Sequence, residues 1–160
     1  MVKRLSALLV FLFLIWNSLF AGDSLFLQPK AAINFTLPNL DNQSVSLSDF
    51  QGSGVLLFFW TTWCPYCREE LKKINSMYEE LKKEGLIVLV INTGESEMRV
   101  ENFIRRFSFS YPVLLDKDFD VVESYGVLGV PTYILIDQQG NIVFKSHYFP
   151  KREYKALLLK

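Results

Sequence analysis

The chain has 160 residues, half of them hydrophobic, with 17 basic and 17 acidic side chains, one histidine and two cysteines. That length and apolar content suit one domain with a real core and leave no room for a second. The balanced charge lacks the basic stripe that nucleic-acid binding requires, and the chain shows no internal repeat or low-complexity segment.

Lys3 and Arg4 precede an unbroken apolar run from Ala7 to Trp16, followed by Asn17 and Ser18, which is the layout of a secretory leader. Residues 1–21 are read as a signal peptide or an N-terminal membrane anchor, and both fates stay open. Ala21 can end a cleaved leader, but Leu19, two residues earlier, is larger than signal peptidase sites prefer. The stretch from Leu5 to Ala21 is borderline against the roughly 20 apolar residues of a spanning helix. With Lys3 and Arg4 held inside, an uncleaved leader associates with the membrane through residues 5–21 and leaves the domain outside the cytoplasm. Without those two cations the remainder carries 15 basic against 17 acidic groups. No cysteine follows the leader to take a lipid. Residues 22–33 are read as a linker and 34–160 as the domain.

Val55-Leu56-Leu57-Phe58-Phe59-Trp60 is apolar without alternation, the mark of a central parallel strand covered on both faces. After it, Leu71, Ile74, Met77, Tyr78 and Leu81 recur at three- and four-residue steps up to Gly85, predicting an amphipathic helix and its stop. Leu86 to Ile91 is a second buried strand. A second helix is predicted over Glu95 to Phe107, with Val100, Phe103, Ile104 and Phe107 on one face. Pro112 to Leu115 is a short strand, and a short helix over Lys117 to Tyr125 should carry Phe119, Val122 and Tyr125 inward. Tyr133 to Asp137 and Ile142 to Lys145, joined by Gln138-Gln139-Gly140-Asn141, predict an antiparallel hairpin. Lys151 to Lys160 is a last helix.

Both cysteines sit in Trp63-Cys64-Pro65-Tyr66-Cys67, where the first strand ends and the first helix begins. Residues three apart at a helix start share one face about one turn apart, within disulfide reach. As a staple the pair does little, because the chain-entropy relation gives a four-residue loop only about 2 kcal/mol. A helix amino terminus, with its unpaired N–H groups and partial positive charge, favours a thiolate. Cys64 is therefore the predicted nucleophile and Cys67, nearer the core, the resolving thiol. Pro65 fits the first helical turn, where its missing N–H costs nothing. A zinc site needs about four ligands and only His147, read as a surface residue, is left to help; Arg68 stands where haem attachment needs a histidine. No metal site is predicted.

From about Asn34 to Lys160 the chain resembles thioredoxin-fold proteins of the TlpA/ResA type, extracytoplasmic thiol-disulfide oxidoreductases. Four ordered segments carry the likeness: Phe35 to Asp41 with Val45 to Phe50, Phe59 to Cys67, Asn92-Thr93-Gly94-Glu95-Ser96, and Gly126 to Thr132. The resemblance implies an α/β thioredoxin fold, a central mixed sheet flanked by helices, with an N-terminal β-hairpin extension and an inserted α/β segment. It also implies that Pro131 follows a cis bond and faces the cysteines, in a loop where Val130, Pro131 and Thr132 offer backbone to an extended substrate segment. An ordinary trans proline starting a strand is the bland alternative.

Glu70, three residues after Cys67, matches the active-site glutamate of ResA-like proteins. In that role it relays a proton to or from the departing thiol; otherwise it is a solvated glutamate beside Glu69. Ordinary thioredoxins place an acid on the preceding strand, where Phe58 stands here. Trp63 and Tyr66, with Pro65, form either an apolar collar for substrates or packing; Trp60 suits the core.

The resemblance implies protein thiol or disulfide substrates, exchange through the Cys64/Cys67 disulfide without a bound cofactor, and electrons from a DsbD/CcdA-type membrane relay. Apo-cytochrome c is the family's best-known substrate type. The dipeptide Pro65-Tyr66 resembles that of glutaredoxins rather than the usual acidic residue and proline, which leaves the potential open between about −270 and −120 mV. The family leans towards reductant. Two rivals stand. A thiol peroxidase of peroxiredoxin type would use Thr61-Thr62-Trp63-Cys64, but Leu57 replaces the proline its motif needs. A thioredoxin-like copper chaperone of Sco type would need the cysteines one residue further apart.

Overall fold

In the computed structural model the described residues are 30–107 and 109–159. The leader, the first part of the linker and the final Lys160 lie outside them. The strands are β1 (Lys30–Ala31), β2 (Thr36–Pro38), β3 (Ser44–Ser46), β4 (Gly54–Trp60), β5 (Leu86–Thr93), β6 (Val113–Asp116), β7 (Thr132–Ile136) and β8 (Asn141–Ser146). The helices are α1 (Pro65–Lys83), α2 (Glu97–Ile104), α3 (Asp120–Ser124) and α4 (Lys151–Leu158), with a 3-10 turn over Leu47–Phe50. Six strands form one mixed sheet in the order β1-β8-β7-β4-β5-β6, and β2 and β3 make the expected N-terminal hairpin.

Every residue of β4 is buried, and its alternation explains how. Leu56, Phe58 and Trp60 face α1, where they meet Cys67, Leu71, Ile74 and Leu81; Val55, Leu57 and Phe59 face the other way, onto Phe35, Leu37, Val121 and Tyr125. A strand with a core on each side cannot alternate polar and apolar residues. β4 runs parallel to β5 and antiparallel to β7, so the carboxyl end of β4 and the start of β7 come to the same edge of the sheet. The site is built there. Truncating Phe58 would cost about 3–5 kcal/mol as a core cavity.

Three expectations need correction. Lys30 and Ala31, assigned to the linker, pair with Ile142 and Asn141 of β8, so the folded region begins before Asn34. The second helix starts at Glu97 rather than Glu95, because Glu95 is turned inward for a purpose described below. The helix predicted from Lys117 starts at Asp120, where the Asp116 carboxylate accepts the Val121 and Val122 amides at 3.3 and 2.9 Å. That late start rotates the inward face. Val121 is buried, Val122 is half-buried, and Phe119 is exposed, with φ 65° and its ring against Gly94. A Cβ on Gly94 would lie 1.9 Å from that ring, so this glycine is required by close approach. Burial pushes the Asp116 carboxyl above its ordinary range, against the lowering effect of the two amides.

Candidate active site

β4 ends at Trp60 and the chain turns through Thr61, Thr62 and Trp63 into α1. Cys64 is the N-cap, with φ −81° and ψ 112°, and its sulfur accepts the Cys67 amide at 3.1 Å. Pro65 opens the helix. Cys64 and Cys67 form a disulfide with Cα atoms 5.3 Å apart, within the ordinary range. Cys64 is 4% exposed and Cys67 fully buried, so access is from the Cys64 side. The N–H aimed at the Cys64 sulfur is the group that would stabilise a thiolate there after reduction.

β7 brings the second half of the site. The Val130–Pro131 bond is cis, and the Val130 carbonyl oxygen lies 3.9 Å from the Cys64 sulfur. Val130 and Pro131 are half-buried beside the disulfide. Thr132 is buried and donates its hydroxyl to the Gly129 carbonyl at 2.6 Å, so its side chain shapes the loop. His147 is on the surface as expected, yet its Nδ1 lies 2.7 Å from the Pro131 carbonyl, a link that no local motif announces.

Glu70 is not the solvated twin of Glu69. Its side chain is 24% exposed against 74% for Glu69. Its Oε2 accepts the Tyr133 hydroxyl at 2.6 Å and the Lys73 ammonium at 3.4 Å. Tyr133 is fully buried, with its ring 4.6 Å from that of Phe58. Burial first, then the Glu70 carboxylate, push its phenol far above the usual tyrosine range. Trp60 is core, while Trp63 and Tyr66 are 62% and 79% exposed on either side of Cys64 in the chain. Leu128, in the loop leading to Pro131, is fully exposed as well.

Glu95 is the residue that sequence reasoning passed over. Buried on the turn after β5, it accepts the Thr62 amide at 2.6 Å, the Thr62 hydroxyl at 2.7 Å and the Asn92 side-chain amide at 2.8 Å, and it forms an ion pair with Arg99, whose Nε lies 3.1 Å away. Arg68, from the first turns of α1, closes the bracket by donating to the Thr62 carbonyl at 2.8 and 3.0 Å. Thr62 is thus held on its amide, hydroxyl and carbonyl, two residues before Cys64. The segment Asn92 to Ser96 stood out in the sequence, but the Thr62 partner of its carboxylate lies 33 residues away.

Residues 29–145 match the AhpC/TSA family. The chain is 37% identical over 128 residues to thiol-disulfide oxidoreductase ResA of Halalkalibacterium halodurans, covering 80% of this chain and 73% of that protein. Among solved structures it is similar to the thioredoxin domain of a thiol-disulfide oxidoreductase from Bacteroides vulgatus, with a TM-score of 0.72 and 31% identity over 81% of this chain and 96% of that one. It is also similar to the exposed lipoprotein thioredoxin of Streptococcus pneumoniae, with a TM-score of 0.70 and 28% identity over 79% and 98%.

Proposed function

We propose that this chain, which belongs to the AhpC/TSA family and to the ResA-type thiol-disulfide oxidoreductases, exchanges disulfides with other proteins through Cys64 as nucleophile and Cys67 as resolving thiol. The observation that carries the reading is the Cys64–Cys67 disulfide at the start of α1, with the Val130 carbonyl 3.9 Å from Cys64.

Two electrons and two protons convert the disulfide to the dithiol. The Cys64 thiolate then attacks a substrate disulfide, forming one S–S bond and breaking another, and the first substrate sulfur leaves as thiolate. Cys67, after losing its proton, attacks the Cys64 sulfur of the mixed disulfide. That step restores the Cys64–Cys67 bond and releases the second substrate thiol. Glu70 is suited to hold the Cys67 proton in transit. The cis-Pro131 loop, with Val130, offers backbone to an extended substrate segment beside the sulfur, and Trp63 and Tyr66 supply apolar contact. No other cofactor is needed for this chemistry.

The working location is outside the cytoplasm, held or released by residues 1–21, which precede the described residues. Support comes from the leader's charge pattern and from the exposed lipoprotein among the structural relatives. There the electrons would come from a DsbD/CcdA-type membrane relay and the chain would act as a reductant, with apo-cytochrome c as a test substrate. The deciding experiment equilibrates the domain lacking residues 1–21 with glutathione or dithiothreitol buffers and reads tryptophan fluorescence. A potential near or below about −250 mV is expected; a value above about −150 mV would mark a disulfide donor and overturn the reductant reading. In parallel, Cys67→Ser should trap a substrate on Cys64 as a mixed disulfide that dithiothreitol releases. If Cys64→Ser traps it instead, the two sulfur roles are reversed.

A further inference from the structure

Beside the disulfide lies an open groove of about 550 Å³ whose walls include Trp63, Met98 and three arginines, Arg68, Arg99 and Arg106. Among the described residues the carboxylate bonded into this cluster is Glu95, and both of its oxygens are already engaged, by three hydrogen bonds and the Arg99 ion pair. Arg99 donates its Nε–H to Thr62 and pairs with Glu95 through the same nitrogen, its two terminal nitrogens have no hydrogen-bond acceptor among the described residues, and its side chain is 62% exposed. Arg68 spends its Nε and one terminal nitrogen on a neutral carbonyl while its guanidinium lies over the Phe103 ring. Arg106 is exposed and forms no salt bridge among the described residues. Guanidinium forks held in place with spare N–H groups match carboxylates in pairs. Trp63 and Met98 add exposed apolar surface to the same groove.

We propose that this groove is where a substrate protein docks the acidic residues that flank its reactive cysteine. The inference rests on the exchange function proposed above and gives it a substrate preference. Trp63 joins the groove directly to Cys64, so a segment whose disulfide meets Cys64 can lay its neighbouring residues between the arginines. Three cations against one carboxylate whose oxygens are both engaged should select acidic segments and speed their encounter at low salt.

The test uses two synthetic peptides of equal length, each a symmetric disulfide, with either aspartates or serines on both sides of the cysteine. The pre-reduced protein is mixed with each, and kcat/KM is read from the change in tryptophan fluorescence. The acidic peptide should react about tenfold faster at low ionic strength, and the ratio should fall towards one at about 0.5 M salt. Arg106→Glu should lower the acidic-to-neutral ratio severalfold. Lys82→Glu, the same charge change at the far end of α1, should leave the ratio where it was. Equal rates with both peptides, or a preference that survives Arg106→Glu, would overturn the docking proposal and leave disulfide exchange standing. If neither peptide is reduced, it is the exchange reading that fails.

Discussion

Two carboxylates flank the disulfide region, Glu70 three residues after Cys67 and Glu95 bonded to Thr62, and one is held open while the other is closed. Glu95 accepts three hydrogen bonds, two on Oε2 and one on Oε1, and Oε1 also pairs with Arg99, so both of its oxygens are engaged. Glu70 takes both of its partners, Tyr133 and Lys73, on Oε2, leaving Oε1 without a protein partner among the described residues. A carboxylate engaged on both oxygens is a brace, because moving a proton onto it would break bonds that hold the loop. An open one can take and return a proton without unfolding anything.

The contrast can be broken most sharply at Glu95. Its replacement by alanine strands the buried Thr62 amide and Asn92 amide, and should cost about 3 kcal/mol in urea unfolding, whether the disulfide is intact or reduced. A loss below about 1 kcal/mol would mean the brace is replaceable. Glu70→Gln should leave stability nearly unchanged while slowing resolution of the mixed disulfide by Cys67 about a hundredfold, as read by stopped-flow fluorescence. An unaltered rate would make Glu70 a bystander.

Alkali should act on the Glu70 side. Tyr133 and Tyr111 have phenols raised by burial, while in the unfolded chain they ionise near pH 10. Below that pH both states keep the proton and nothing is gained or lost. Above it the unfolded state sheds protons first, so stability should fall by about 1.4 kcal/mol per pH unit for each such tyrosine. Tyr133→Phe should remove one tyrosine's share of that slope, at a cost near neutral pH of about 1 kcal/mol for the bond to Glu70. Lys73→Ala, which deletes a half-exposed ion pair, should change stability by less than about 0.5 kcal/mol.

The two carboxylates also differ in how they could be read. Glu70 follows Cys67 by three residues, and a helix converts that spacing into a shared face; the likeness to ResA-type proteins implied the proton-relay role proposed for it. Glu95 sits in a segment that stood out, but nothing local marks its hold on Thr62, which is brought near by the parallel pairing of β4 with β5. His147 is similar, reaching Pro131 only because β7 and β8 are adjacent. Phe119 misled for a different reason. Its spacing to Val122 and Tyr125 suited an inward face, but Asp116 caps the helix one turn later and turns the ring outward onto Gly94.

By itself the sequence determined the redox pair. Cys64 and Cys67 are three residues apart, and a helix start lies between an apolar strand and an amphipathic run, both of which are local, periodic properties of the chain. It also determined that β4 would be central, since only a strand with two cores can be apolar at every position. The tertiary structure decided what surrounds the sulfur: which carboxylate is filled and which is open, how Thr62 is held, and where three arginines gather. Those depend on side chains from strands and helices far apart in the chain. Their proximity is set by sheet order and register, which no spacing within one segment encodes.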